Sequence, residues 1–380
     1  MKVDVSHYLT LRRSIHQHPE LSYQEVETTR RIREFLNEHG LTFNTFADST
    51  GGFVRIDNQK EKTVCLRADI DALPLTEKTG VEYASENKGI MHACGHDVHT
   101  AIAAGVACEL ARVKDKLPCN VVVLFQPAEE SSPIGGARPI VESGFLEQQN
   151  ISEVYGLHNW PSLNVGEIGV KPGAIMAASD QFSITVHGKT AHAAEPHLGV
   201  DAIMIGAQIH SAVTAELRRE LDPFDPLSIS IGIFRGEGRY NIVCECAELK
   251  GTVRTTSEKT RHFIHRRIKE LAEQIAAAYG GSAEAKITEG YGVVDNSTEL
   301  YKRFLPKAIS VLGTEHVHTD IHTSLIGEDM YYYGTKVPIL YFHLGSQSEY
   351  PLHNSNLLID ERCISVGIDL LTELFLDMRE

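Results

Sequence analysis

The chain has 380 residues, 42% hydrophobic and 23% charged, with a formal net charge of −15. That is an ordinary globular composition, long enough for two domains at roughly 100–200 residues each. The acidic balance excludes nucleic acid as a partner, since phosphate binding relies on clustered lysine and arginine, and no run approaches the ~18 apolar residues of a membrane span.

Small anionic substrates stay open, provided metal ions or a few arginines supply a positive centre. The N-terminal "MKVDVSHYLTLRRSIHQHP" carries charges throughout and lacks the apolar core of a signal peptide. A cytoplasmic protein is expected. The seven cysteines are odd in number and scattered, and form no disulfide framework.

From residue 1 to about 178 helices and strands alternate. "TTRRIREFLNEHG" reads as an amphipathic helix ending at Gly40. "TVCLRADIDALP" starts as a buried strand and leaves it at the aspartates. "HTAIAAGVACELARVK" is a helix of small residues, and "CNVVVLFQPAEE" and "VYGLHNW" are further strands. Apolar strands separated by helices predict a mainly parallel sheet flanked by helices. Ligands collect beyond the carboxyl ends of such strands, where Asp69, Asp71, Glu129, Glu130 and His158 fall.

Between 179 and 292 the texture changes. "QFSITVHGKTAH", "PLSISIGIFRG", "CECAELKGTVRT" and "SAEAKITEG" alternate as half-exposed antiparallel strands do. Two helical stretches, 200–220 and 257–280, accompany them. The predicted architecture is α/β: a catalytic domain of 1–178 and 293–380 with an inserted, smaller α+β domain of 179–292. Within the insert, Cys244 and Cys246 are expected on one face of a strand. The chain closes with the strand "VPILYFHLGS" and the helix "ERCISVGIDLLTELFLDM".

"MHACGHDVHT" (91–100) puts one cysteine and three histidines into ten positions. Thiolate and imidazole are good ligands for zinc-like ions, and carboxylates can bridge two of them. The candidates Cys94, His96, Glu130, His158 and His353 are dispersed along the chain, whereas structural zinc sites gather ligands in tight local pairs. Convergence from several strand ends suits an open site with two ions, which ~3.5–4 Å apart can hold a water between them. In the pair Glu129–Glu130, one carboxylate can bind metal while the other faces the water. A cysteine nucleophile stays open, with Cys94 served by His158 or His353. His99 is expected to pack beside the site, and "HVHTDIH" (316–322) to be a solvated connection.

"HPELSYQEVETT", "RADIDALP", "MHACGHD", "FQPAEE", "GLHNWP", "GKTAHAAEPHLGVDA" and "GTVRT" occur in order over nearly the whole chain. Together they resemble the M20 metallopeptidase family, in its amidohydrolase branch of hippurate, N-acyl-amino-acid and auxin-conjugate hydrolases. The resemblance implies a zinc-exopeptidase-like catalytic domain with an inserted lid that also serves as a homodimer surface. It implies two divalent ions per chain, manganese or zinc, with cobalt and nickel as other occupants. Cys94 would bridge them, with His96, Glu130, His158 and His353 completing the shells. Glu129 would be the general base, Asp71 would orient the site, and His192 and Asn241 would contact substrate.

Three departures from the family pattern stand out, and the second and third bear on the substrate. "GKTAHAA" lacks the double glycine common before the lid histidine, "NIVCEC" replaces an Asn followed by Ile/Val-Pro, and "PLHNSN" has a single histidine where many relatives have two. The implied reaction is hydrolysis of N-acyl amino acids by a hydroxide held between the ions, with no membrane partner. The alternatives are N-acetyl-diaminopimelate deacetylation, dipeptide hydrolysis, and a metal-bound ligand-binding relic without turnover. Glu129 argues against the relic, because a binding protein has no use for a base beside a ligand.

Overall fold

Two apolar runs organise the larger part of the chain. In the computed structural model, which describes residues 4–378, "TVCLRAD" and "NVVVLFQ" are strands buried at every position. The strands in chain order are β1 (Phe43–Thr45), β2 (Gly52–Ile56), β3 (Thr63–Asp69), β4 (Asn120–Gln126), β5 (Ile151–Trp160), β6 (Ile168–Gly169) and β7 (Gly173–Met176). Then follow β8 (Ala178–His187), β9 (Leu227–Gly236), β10 (Cys246–Thr255), β11 (Ser282–Thr288), β12 (Val294–Asn296), β13 (Val317–His318) and β14 (Ile339–Gly345).

The chain divides into two units. The larger takes the residues up to Ile175, Val294–His322, and those from Asp329 onward; the smaller takes Met176–Val293 with Thr323–Glu328. From sequence, that last segment was expected in the larger unit. In the larger unit eight strands form one sheet, ordered β1-β2-β4-β3-β5-β14-β6-β13. The central four run parallel, with antiparallel partners toward the edges. Parallel strands buried on both faces need continuous apolar runs, which β3 and β4 supply.

Three helices lead to the site: α1 (Ser6–Gln17), α2 (Val26–Glu38) and α3 (His96–Arg112). Alanine and glycine let α3 approach the closing helix Cys363–Leu376 closely. A methyl group on Gly105 would lie 2.3 Å from Ile368, and one on Gly367 would lie 2.8 Å from Ile102. α3 starts at His96, three residues before the predicted start, so His99 occupies its first turn rather than its entrance.

The smaller unit is an antiparallel sheet, ordered β11-β8-β10-β9, with the alternating burial expected of one solvated face. The helix Ala202–Ser211 is capped by Asp201, which accepts from the Ile203 and Met204 amides. The helix Glu258–Ala278 is capped by Ser257. Under the sheet Asp180 accepts from Arg261 Nε and Nη2 at 2.8 and 2.7 Å, and pairs with His265 Nε2 at 2.7 Å.

Two expectations are corrected. Cys244 lies in an irregular segment ahead of β10, so it is buried while Cys246 is exposed; the two thiols share no strand face. Within "HVHTDIH", Val317 and His318 form an edge strand parallel to β6. Among the described residues no helix is long and apolar enough to cross a membrane.

Candidate metal centre

The central strands point their carboxyl ends the same way, and the chemistry-bearing side chains gather there. β3 delivers Asp69 and then Asp71. β4 runs into Pro127 and Ala128, followed by Glu129 and Glu130. β5 presents His158 before it ends, and α3 opens on His96. The turn carrying Cys94 is pinned by Met91, which exchanges two backbone hydrogen bonds with Leu73 at 3.0 Å, and by His353, whose amide donates to Ala93 O at 2.7 Å.

The ring nitrogens are sorted by their partners. His96 Nδ1 faces Asp71 Oδ1 at 3.1 Å, and His158 Nδ1 faces the Asn159 carbonyl at 2.7 Å. An acceptor at Nδ1 fixes the proton there and leaves the Nε2 lone pair free to ligate. His158 Nε2 lies 3.4 Å from Cys94 Sγ. His96 Nε2 is buried without a hydrogen-bond partner, its nearest carboxylate being Asp69 at 3.8 Å. His353 Nε2 lies 3.2 Å from Glu130 Oε1.

Three sets of donor atoms lie mutually within 4.8 Å: Cys94, His96 and His158; Cys94, Glu130 and His353; His96, Glu129 and Glu130. All five residues expected as ligands, together with Glu129 and Asp71, thus meet in the larger unit. Asp69, His96 and His99 form a further such set, but there the donor atoms of Asp69 and His99 are already used. His99 Nδ1 bonds Asp69 Oδ1 at 2.6 Å, and Asp69 Oδ2 takes Arg67 Nη1 at 2.7 Å. His99 Nε2 accepts from the Asn159 amide at 2.9 Å.

The electrostatics disfavour a thiol enzyme. Burial, then the charges of Glu130 and Glu129, push the Cys94 thiol well above its ordinary range. Burial and His99 hold His158 well below the usual imidazole value. A thiolate–imidazolium pair is therefore not what this pocket stabilises. Burial alone would also depress His96, but the charges of Asp69 and Asp71 outweigh it and lift its pKa to about 10, so the ring carries a second proton that a metal at Nε2 would replace. The pocket asks for positive charge.

His192 and Asn241 lie together in the smaller unit. The Ala193 amide donates to Asn241 O at 3.0 Å, and His192 bridges Ile242. The Ala194 amide approaches His192 Nδ1 at 3.1 Å, which leaves the neutral ring's proton on Nε2. Asp329 is buried and accepts from Arg67, Gln126 and the Ala137 amide. Sequence reasoning missed Asn159. Its side chain donates to Cys94 O at 2.6 Å, and its only local signal is an amide inside a buried strand.

A model of peptidase family M20/M25/M40 matches residues 65–377. The chain belongs to that family. The N-acetyl-L-cysteine deacetylase of Bacillus subtilis (strain 168) is 38% identical over 361 residues, spanning 93% of this chain and 84% of that protein. An N-acetyldiaminopimelate deacetylase of Listeria monocytogenes (serotype 4a, strain HCC23) is 36% identical over 375 residues, spanning 97% and 98%. The crystal structure of the Bacillus subtilis YXEP protein, described as a dinuclear metal binding peptidase of the M20 family, superposes with a TM-score of 0.87. It is 33% identical and covers 98% of this chain and 97% of its own. This M20 member is thus a metal-dependent hydrolase of amide bonds, with the expected mixed α/β fold and separate antiparallel domain.

Proposed function

We propose that this enzyme hydrolyses N-acyl amino acids to a carboxylate and a free amino acid, using two divalent ions held by Cys94, His96, Glu130, His158 and His353. The observation carrying this reading is the convergence of those donors around Glu129, with Nδ1 of both buried imidazoles engaged so that Nε2 is the nitrogen left for a ligand bond. The donor chemistry fits the ions. His96 Nε2 is a buried atom without a hydrogen-bond partner, and a thiol beside two glutamates ionises readily only against added positive charge. One thiol with imidazoles suits zinc, and the carboxylates suit manganese.

When bound, such ions supply Lewis acidity and bring the pKa of a water toward neutrality. The chain's own residues do the rest. Glu129 accepts the proton of the attacking water and returns it to the departing amine as the C–N bond breaks, so the amide and one water become carboxylate and amine. Asp71 holds His96 in the tautomer that exposes Nε2. His192 offers its Nε2 proton to the oxyanion that develops on the carbonyl, and Asn241 contacts the tetrahedral oxygen or the substrate carboxylate.

The deacetylase relatives favour short acyl groups, so N-acetyl-diaminopimelate is the alternative substrate and dipeptides a weaker one. The unpaired state of all seven cysteines supports a reducing, cytoplasmic location. The reading includes a homodimer through the smaller unit. β9 is a sheet edge with Ile233 and Phe234 exposed, and Ile203 and Met204 on the adjoining helix are exposed as well. Sedimentation at micromolar concentration tests the dimer. Glu129→Ala tests the mechanism: turnover should vanish while metal content stays, and full activity would refute the assignment.

A further inference from the structure

The motif "SYQE" (22–25) lies at the start of α2, and nothing in the proposed chemistry uses it. Yet each of three side chains in it reaches a different part of the site. Ser22 Oγ donates to Asp71 Oδ2 at 2.7 Å, the same oxygen that accepts the Glu130 amide at 3.0 Å. Tyr23 adopts a left-handed φ of 63°, and its hydroxyl donates to Gly135 O at 2.7 Å. Glu25 is fully buried. Its Oε1 accepts the Ala128 amide at 2.8 Å, and its Oε2 accepts the Thr50 hydroxyl at 2.5 Å.

Ala128 is the residue before Glu129, and its φ of 58° is one that L residues rarely adopt. Such a conformation persists only where the surroundings over-determine it. The loop is also packed against itself, since a methyl on Gly136 would lie 1.7 Å from Pro127 O. The bend 22–25 therefore holds both ends of segment 128–135, which carries Glu129 and Glu130.

We propose that Ser22, Tyr23 and Glu25 form a clasp that positions Glu129, with Glu25 acting through the Ala128 amide. The clasp rests on the reading of Glu129 as general base. Burial and the charge of Asp71 push the Glu25 carboxyl up to about 7. What the clasp needs from this side chain is its acceptor oxygen rather than its charge, and a glutamine keeps that oxygen.

The experiment compares Glu25→Ala, Glu25→Gln and Tyr23→Phe in the metal-loaded protein. Steady-state kinetics are read beside amide hydrogen exchange over residues 127–136. Displacement of a reacting group by about an ångström can cost about 100-fold. Glu25→Ala is therefore expected to lower kcat about 10- to 100-fold with KM changed less than about threefold, and to speed exchange about tenfold. Glu25→Gln should restore both.

Wild-type exchange and kcat in Glu25→Ala would overturn the clasp, as would a Glu25→Gln as impaired as the alanine. Should Glu25→Ala fail to fold, Tyr23→Phe decides, since Tyr23 is 45% exposed. Faster exchange over 133–136 with a severalfold fall in kcat supports the clasp, and no change in either overturns it. A wild-type protein inert toward every acyl substrate would contradict the proposed function alone, and the exchange comparison would still decide the clasp.

Discussion

Gly95→Ala isolates how tightly the turn between Cys94 and His96 is specified. Gly95 has φ +85°, and a methyl group there would lie 2.4 Å from Asn159 Nδ2 and 2.5 Å from Ile359 Cδ1. Ile359 Cδ1 can move, whereas Asn159 is held by Cys94 O, by His99 Nε2 and by Ser346 Oγ. The left-handed backbone costs alanine about 1–2 kcal/mol. Displacing Asn159 forfeits about two hydrogen bonds at about 1 kcal/mol each. Together the loss is about 3–4 kcal/mol, or roughly 6–16 °C in Tm for a domain of this size.

The assay is calorimetry in chelator, followed by titration with manganese or zinc, where binding should weaken by about 10- to 100-fold. Gly89 is the control. It has the same φ of +85° with nothing within 4 Å, so Gly89→Ala should show only the backbone cost of about 1–2 kcal/mol. Equal losses in the two variants would refute the close-approach argument. An unchanged Gly95→Ala would refute the whole of it.

Cys94→Ser should weaken metal binding by at least about tenfold and abolish the thiolate-to-metal absorption of the cobalt form; retention of that band would exclude Cys94 as a ligand. His192→Ala should lower kcat by about 100- to 1,000-fold at unchanged metal content, read from steady-state kinetics beside metal analysis. Asp180→Asn should destabilise the smaller unit by about 3–5 kcal/mol, because the buried Arg261 keeps only the partly exposed Glu258 as a carboxylate partner. Burial works against the Asp180 charge, but the bonds from His265 and Arg261 prevail and hold its pKa at about 2. A carboxylate whose folded pKa is depressed lends stability above its ordinary value of 3.8 and loses it as pH falls toward 2. The advantage of wild type over Asp180→Asn should thus shrink by about 2 kcal/mol between pH 5 and 2 in thermal melts.

The central strands were legible because burial on both faces demands the uninterrupted apolar runs that "VCLRA" and "VVVLF" display. Strand ends were less so. β5 extends from Ile151 to Trp160, so His158 lies inside a strand and not beyond it. Its ring reaches Cys94 through the pleat, a geometry that no spacing announces. The supporting residues were the least visible. Glu25 stands at a helix start, where a carboxylate usually faces water, and only its distant partners Thr50 and Ala128 make it a buried acceptor. Asn159 and His99 likewise owe their roles to contacts 60 residues apart in sequence. The Cys244–Cys246 spacing misled because strand alternation was assumed two residues before β10 begins.

The most direct test is free-amine release from a panel of N-acyl amino acids, including N-acetyl-diaminopimelate and hippurate. Chelated protein is compared with protein resupplied with manganese or zinc, and Glu129→Ala serves as the blank. The expected result is release that requires metal, is absent from Glu129→Ala, and ranks the acyl substrates. Release that survives chelation, or that Glu129→Ala performs as well as wild type, would contradict a metal-assisted hydrolysis with Glu129 as its base.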